Sequence, residues 1–193
     1  ALGVDEVAIA MSNRQNESVY AYRFDWDELP TIAGSDMQEL MGAAHASEIP
    51  FVFGMFDDSF MNNLMFDENN IPGRDLLSES MSSYWAEFAY SSSPGRGRSG
   101  TLHEWRAWSN ESAAGEKYII LDDENDGGIR MTSKVITLAV LHQRLLNDTR
   151  FPSQELHSQM YDCLLKDTRY WNLEEFEALG GSPCEDAMFS SLL

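Results

Sequence analysis

The chain contains four histidines, and imidazole is the side chain that most readily exchanges a proton near neutral pH. They are His45, His103, His142 and His157. No two of them stand at the i, i+4 spacing of a helical zinc pair, and the chain has no Cys-x-x-Cys motif, so the sequence predicts no metal site. His45 differs from the others because it follows Gly42-Ala-Ala, whose small side chains leave an imidazole room to project. By itself, His45 fits either a structural or a catalytic role.

A run of acidic residues at 122–128, Asp-Asp-Glu-Asn-Asp-Gly-Gly, is the second candidate for chemistry. The opening of a calcium-binding loop is matched by Asp122, Glu124, Asp126 and Gly127. The twelfth position is Ser133, however, so the bidentate glutamate of such a loop is missing. The run therefore predicts an acidic turn between two strands rather than a calcium site.

The only two cysteines, Cys163 and Cys184, leave two chemistries open. A disulfide between them would stabilise the C-terminal helices by about 3 kcal/mol on the chain-entropy model. Two reduced, partly buried thiols are the simpler expectation, because free cysteine packs as a small apolar residue.

Composition narrows the classes of partner. The chain has 193 residues with 13 Lys and Arg against 32 Asp and Glu, which gives a net charge of −19. So few cations argue against nucleic-acid binding and against attraction to an anionic membrane surface. Hydrophobic residues make up 43%, which predicts a folded chain, and no apolar run approaches the roughly 20 residues of a membrane span. The chain begins at Ala1 without Met or a signal peptide, so we expect an internal starting point, and either a cytoplasmic or a secreted protein fits.

The elements that must position His45 are predicted from periodicity. Bulky residues from Val19 to Trp26 predict a central strand with sheet neighbours on both sides. Helical spacing from Arg74 to Ser91 predicts one long helix whose apolar stripe contains Leu77, Met81, Tyr84, Trp85 and Phe88. Strands are predicted at 118–122 and 128–132, and further helices at 4–11, from Ser133, at 153–166 and at 173–179. Residues 27–41 and 54–73 are predicted as loops.

One segment resembles a known motif. Residues 42–54, Gly-Ala-Ala-His-Ala-Ser-Glu-Ile-Pro-Phe-Val-Phe-Gly, resemble the catalytic-histidine motif of the type-B carboxylesterase and cholinesterase family. The strand sequence at 19–24, the helix at 81–89 and the strand at 118–122 resemble family segments in the same order. The resemblance covers roughly residues 15–145, and the tail with its two cysteines looks most like bacterial members.

The resemblance implies the α/β-hydrolase fold, a mixed and mostly parallel sheet flanked by helices. The triad of that fold runs Ser, then Asp or Glu, then His along the chain. This sequence has no Gly-x-Ser-x-Gly nucleophile motif, and the triad acid would precede residue 1. We therefore expect residues 1–193 to be the C-terminal portion of a single carboxylesterase domain whose nucleophile-bearing part is absent. A fragment, a cleaved subunit and a partial gene product all fit.

The function implied is that of a serine carboxylic ester hydrolase acting on a small-molecule ester without a cofactor. In it His45 would be the catalytic histidine, and this chain alone would be inactive. Glu48 would hold the histidine loop in place; the alternative is a carboxylate favoured at a helix N-terminus. Four apolar residues of the following loop would rim the substrate entrance, or else cover a helix or a dimer contact: Met55, Phe56, Phe60 and Met61. The alternative function is a non-catalytic binding or adhesion module of the same fold, which would not need His45.

Overall fold

The computed structural model describes residues 2–56, 65–111, 115–136 and 138–184. They fall into two units, residues 3–135 and residues 136–193 with 1–2. The helices are α1 (Leu2–Arg14), α2 (Met37–Met41), α3 (Ile49–Phe53), α4 (Ile71–Ser91), α5 (Leu138–Leu146), α6 (Gln154–Leu165) and α7 (Leu173–Ala178). The strands are β1 (Tyr22–Phe24), β2 (Thr31–Ile32), β3 (Ser35–Asp36), β4 (Tyr118–Leu121) and β5 (Arg130–Thr132). None of the described helices is both long enough and apolar enough to cross a bilayer.

A mixed three-stranded sheet lies in the first unit, in the order β1-β4-β5. β1 runs parallel to β4, with Tyr22 opposite Ile119. β4 and β5 form an antiparallel pair, with Tyr118 opposite Thr132. All four residues of β4 are buried, as expected of a strand with neighbours on both edges. The predicted pairing of residues 118–122 with 128–132 is confirmed.

β1 is shorter and less covered than predicted. Its three residues are half-buried, and within the described residues it pairs with β4 alone. The chain before it continues along β4, since the amide of Ile119 donates to the carbonyl of Ala21 at 3.1 Å. After the strand, Trp26 is buried in the core. The described residues contain no second sheet neighbour for this segment, although we predicted one.

Helix α4 covers one face of the sheet through the stripe that its sequence predicts. Its buried residues are Leu77, Ser78, Met81 and Tyr84, which recur at helical spacing. Phe88, the last residue of the predicted stripe, is exposed. The aromatic and aliphatic residues buried together in this core are Trp26, Leu29, Phe51, Phe66, Leu77, Met81, Tyr84, Trp105, Ile119 and Leu121. A smaller buried cluster contains Ala8 of α1 with Ala21, Trp108, Tyr118 and Ile120.

Residues 27–41, predicted as a loop, instead form a tight hairpin and a helix. Strands β2 and β3 pair around Ala33 and Gly34, both with positive φ, as a two-residue hairpin turn requires. Helix α2 then begins because the side chain of Asp36 accepts a hydrogen bond from the amide of Glu39. It ends at Gly42, whose φ of 52° suits a residue without a side chain. The prediction missed these elements because they are short and depend on turn and cap residues rather than periodicity.

The second unit contains α5, α6 and α7. The helix predicted at 153–166 is confirmed as α6, and Ser153 caps it, because its hydroxyl accepts a hydrogen bond from the amide of Leu156. Cys163 and Cys184 form a disulfide, so the expectation of two reduced thiols is wrong. The thiols meet because α6 ends near the segment that follows α7, which places the two Cα atoms 4.8 Å apart. The helix predicted from Ser133 begins, in the described residues, only at Leu138.

Candidate active site

His45 lies on a tight turn between α2 and α3. Successive backbone bonds close the turn: the amide of Ser47 donates to Ala44 O at 3.2 Å, and that of Ile49 donates to Ala46 O at 3.3 Å. Ala46 has a φ of 67°, a left-handed conformation that a residue with a side chain adopts at a cost. Such strained residues are concentrated at functional sites, where the surrounding structure holds them. The backbone beside His45 is thus held by hydrogen bonds in a left-handed conformation.

The side chain of His45 is exposed, and its imidazole has no hydrogen-bond partner among the described residues. His45 lines an open groove of about 570 Å³ in the first unit. The other lining residues are Gly3, Val4, Val7, Ala8, Met11, Ser18, Val19, Tyr20, Ala21, Tyr22, Phe24, Ala46, Glu48 and Phe88. Most of them are apolar, and they come from α1, from β1 and its flank, from the histidine turn and from α4. A mostly apolar groove with a few polar groups is typical of a ligand site, and here the imidazole is one of those polar groups.

Glu48 is tied to strand β1. The hydroxyl of Tyr22 donates to Oε1 of Glu48 at 3.3 Å, and both residues line the groove beside His45. Burial raises the pKa of Tyr22, and the negative charge of Glu48 raises it further, so the phenol keeps its proton and remains a donor. Glu48 precedes α3, yet its side chain makes no capping hydrogen bond there. Its observed contact is therefore the one that joins the histidine turn to the sheet.

The sequence did not single out Tyr22. It was only one aromatic residue in a strand whose neighbours are also aromatic, and nothing in that pattern indicated a hydroxyl aimed at a carboxylate 26 residues later.

The four candidate rim residues of the loop that follows α3 differ in their surroundings. Met55 is 66% exposed. Phe56 is half-buried and packs edge-on against Phe51 and Phe66, with ring centroids 5.3 and 5.4 Å apart. The Arg74 guanidinium lies 4.3 Å from the centre of the Phe56 ring. For Phe56 the structure thus favours the packing alternative. Phe60 and Met61 lie outside the described residues.

An acidic group that sequence reasoning missed lies elsewhere in the first unit. Asp27, Glu28 and Asp126 place carboxylate oxygens within 4.8 Å of one another. Burial raises the pKa of Glu28 to about 7, and the charges of neighbouring aspartates add to the shift. These three carboxylates could hold a cation, but acidic clusters are common without one, and we assign no metal to them. The group escaped notice because it joins the ends of two segments about 100 residues apart.

The predicted acidic turn itself is confirmed. Residues Glu124–Asp126 form one turn of 3₁₀ helix between β4 and β5. Asp123 Oδ1 accepts from the amide of Asn125 at 2.7 Å, so this carboxylate caps the turn.

Comparison with known proteins agrees with the histidine motif. The profile of the carboxylesterase family matches residues 2–137, which is more than two thirds of the chain. The chain therefore belongs to the carboxylesterase family. Together with the mixed sheet and its parallel pair, this confirms the α/β-hydrolase fold that the sequence predicted.

Individual relatives include two cholinesterases. The acetylcholinesterase of Danio rerio is 31% identical over 113 residues, 58% of this chain and 16% of that protein. The acetylcholinesterase of Electrophorus electricus is 29% identical over 114 residues, 59% of this chain and 16% of that protein. Two structures of a PNB esterase are 29% identical and cover 60% of this chain and 19% of theirs, with TM-scores of 0.40 and 0.42. The chain thus spans less than a fifth of each relative's length.

Proposed function

We propose that this chain is the C-terminal portion of a serine carboxylic ester hydrolase and that it supplies the catalytic histidine, His45. The observation that carries the proposal is the placement of that residue: an exposed imidazole on a strained turn, lining an apolar groove, inside the span that matches the carboxylesterase family. The remaining chain would supply the serine nucleophile, the triad acid and the oxyanion hole. The substrate would be a small-molecule ester, and no cofactor is needed.

In this mechanism His45 moves two protons. It takes the proton of the serine hydroxyl as the oxygen attacks the ester carbonyl, and the carbonyl electrons shift onto the oxygen in the oxyanion hole. As the tetrahedral intermediate collapses, His45 gives that proton to the departing alkoxide, which leaves as an alcohol. Water then repeats the sequence on the acyl-enzyme and releases the carboxylic acid. An imidazole whose two nitrogens have no hydrogen-bond partner among the described residues can meet a serine on one side and an acid on the other.

Glu48 and Tyr22 would act through the turn rather than on the substrate. Their hydrogen bond joins the residue three positions after His45 to the sheet, so it limits the movement of the turn. A base must stay within about 3 Å of the proton that it takes, and a misplacement of 1 Å costs up to about 100-fold in rate.

The decisive experiment replaces His45 in the complete protein that contains this chain. We expect His45→Ala to lower kcat for p-nitrophenyl acetate by about 10⁴- to 10⁶-fold, with little change in KM, as for other triad deletions. Because the side chain is exposed, added imidazole should reach the vacated position and restore part of the activity. His103→Ala is the matched control, since His103 is also exposed in the first unit and does not line the groove; it should leave kcat within twofold.

Two results would overturn the proposal. A His45→Ala enzyme within tenfold of the wild type would show that another residue is the base. A complete protein that hydrolyses no ester but binds a partner would favour the non-catalytic alternative.

The isolated chain gives an independent test. Without a nucleophile, residues 1–193 should hydrolyse p-nitrophenyl acetate no faster than free imidazole at the same concentration. Faster turnover by the purified chain would contradict the division of the active site between this portion and the rest of the enzyme.

A further inference from the structure

Helix α3, which follows the histidine turn directly, is too short to satisfy its own carbonyl groups. It has five residues, and the last four carbonyls of any helix lack partners within it. The carbonyl of Pro50 accepts from the amide of Met55 at 2.9 Å. Phe51 is 1% exposed, so its carbonyl and that of Val52 have to find partners within the protein.

Two hydroxyl groups of the long helix α4 supply those partners. Ser78 Oγ donates to Phe51 O at 2.8 Å, and Ser78 is only 6% exposed. Ser82 Oγ donates to Val52 O at 2.8 Å, with a second, longer contact of 3.4 Å to Phe51 O. The two serines stand one helical turn apart, so both hydroxyls reach the same end of α3.

Other serines of α4 show that these bonds are not the usual local arrangement. Ser80 Oγ donates to Leu76 O at 3.0 Å, and Ser91 Oγ donates to Glu87 O at 3.1 Å. Both bonds return to the carbonyl four residues earlier in the same helix, as serine commonly does. Only Ser78 and Ser82, among the α4 serines with a hydrogen bond described, reach across to α3.

We propose that Ser78 and Ser82 are positioning residues that hold the catalytic histidine in place through helix α3, an inference that rests on the function proposed for His45. The mechanical connection is short. The amide of Val52 donates to Glu48 O at 3.1 Å, and the amide of Ile49 donates to Ala46 O, so α3 and the turn move together. The serines hold the far end of α3 against α4, while Tyr22 holds Glu48 at its near end. The turn that carries His45 is thus connected to two elements of the first unit: helix α4 through the two serines, and strand β1 through Tyr22.

The test uses the complete protein and the double variant Ser78→Ala/Ser82→Ala. We expect kcat to fall by about 10- to 100-fold while KM stays within twofold, because a displaced base slows proton transfer without removing substrate contacts. The matched control is Ser80→Ala/Ser91→Ala, which removes two hydroxyls from the same helix and should leave kcat within twofold.

A second pair of variants covers the case in which the double variant fails to fold. Ser82 is half-buried, and the single variant Ser82→Ala leaves the hydrogen bond from Ser78 to Phe51 O in place. Ser82→Ala should lower kcat measurably, whereas Ser82→Thr keeps a hydroxyl and should retain near-wild-type kcat. Equal loss in the two variants would contradict a role for the hydroxyl.

A thermodynamic cycle separates positioning from general stability. If the serines act through the histidine, the double serine variant should cause no further loss of kcat in a His45→Ala background. Two results would overturn this inference: a further fall in kcat when the double serine variant is combined with His45→Ala, or a wild-type kcat in the double serine variant alone. By contrast, a His45→Ala enzyme with full activity would overturn the proposed function itself, so the two failures are distinguishable.

Discussion

The two units of the chain hold their helices by different means. In the first unit, aromatic rings pack around Phe51: the Phe24 ring lies edge-on to it and the Trp26 ring is tilted, each with its centroid 5.0 Å away. In the second unit, side-chain hydrogen bonds do much of this work. Tyr161 donates to Glu175 at 2.8 Å, and Trp171 donates to Asp162 at 3.0 Å.

In the second unit a disulfide between Cys163 and Cys184 adds to these hydrogen bonds. Asp162 Oδ2, the carboxylate oxygen that does not bind Trp171, accepts a hydrogen bond from the amide of Cys184 at 2.9 Å. Cys184 is also the residue that forms the disulfide with Cys163. The buried apolar residues described in this unit are only Met160 and Tyr161. A small core gains most from a covalent link, because burial contributes little free energy there.

The same division separates the region with family resemblance from the rest. The family profile ends at residue 137, and the first unit ends at residue 135. His45 of the first unit is exposed on a groove, whereas the buried Nε2 atoms of His142 and His157 in the second unit have no hydrogen-bond partner in the part of the chain that the structure describes. The catalytic role that we propose therefore lies in the first unit, residues 3–135. The following predictions test whether the two units are stabilised by different interactions.

The largest effect on stability is expected at Phe51. Removing this buried ring leaves a cavity among Phe24, Trp26 and Phe66, so Phe51→Ala should destabilise the complete protein by about 3–5 kcal/mol. Phe53→Ala is the matched control, because Phe53 belongs to the same helix but is 68% exposed. Denaturant unfolding gives the difference. Hydrogen exchange should rise in peptides from residues 71–91 and stay unchanged in those from 154–184; a rise confined to 154–184 would contradict the comparison.

Removal of the disulfide should cause a smaller loss of stability, and this loss should affect the second unit rather than the first. The bond closes a loop between residues 21 positions apart, so Cys163→Ser/Cys184→Ser should cost about 3 kcal/mol of unfolding free energy on the chain-entropy model. Hydrogen exchange should now rise in residues 154–184 and not in 71–91. A reductant should reproduce the effect in the wild type and add nothing in the variant. Unchanged exchange in 154–184 would show that the polar contacts suffice.

The smallest effect is expected from the acidic group of the first unit. The pKa of Glu28 is raised to about 7 from an ordinary 4.5, so between these values the folded state binds more protons than the unfolded state. Stability is therefore lost as the pH rises through this window. Glu28→Gln should raise Tm at pH 8 and change it less at pH 5. The exposed Glu68→Gln serves as the control, and an equal shift at both pH values would contradict the assignment.

The sequence by itself determined the features that depend on neighbouring residues. The periodicity of α4, the β4–β5 pair, the helix at 153–166 and the histidine motif at 42–54 are all local patterns, and local sterics and hydrogen bonding produce them. The fold class followed from the motif, since its segments resemble the family in order. Even the exposed position of His45 accords with small residues before it.

The tertiary structure alone decided which distant groups meet. The bond of Tyr22 to Glu48 joins residues 26 apart, and the bond of Ser78 to Phe51 joins residues 27 apart. The disulfide and the acidic group at Asp27, Glu28 and Asp126 also depend on where separate segments arrive. No periodicity encodes such encounters, because they follow from how the helices pack on the sheet and on each other. Packing thus determined which side chains contact helix α3 and the turn that carries His45.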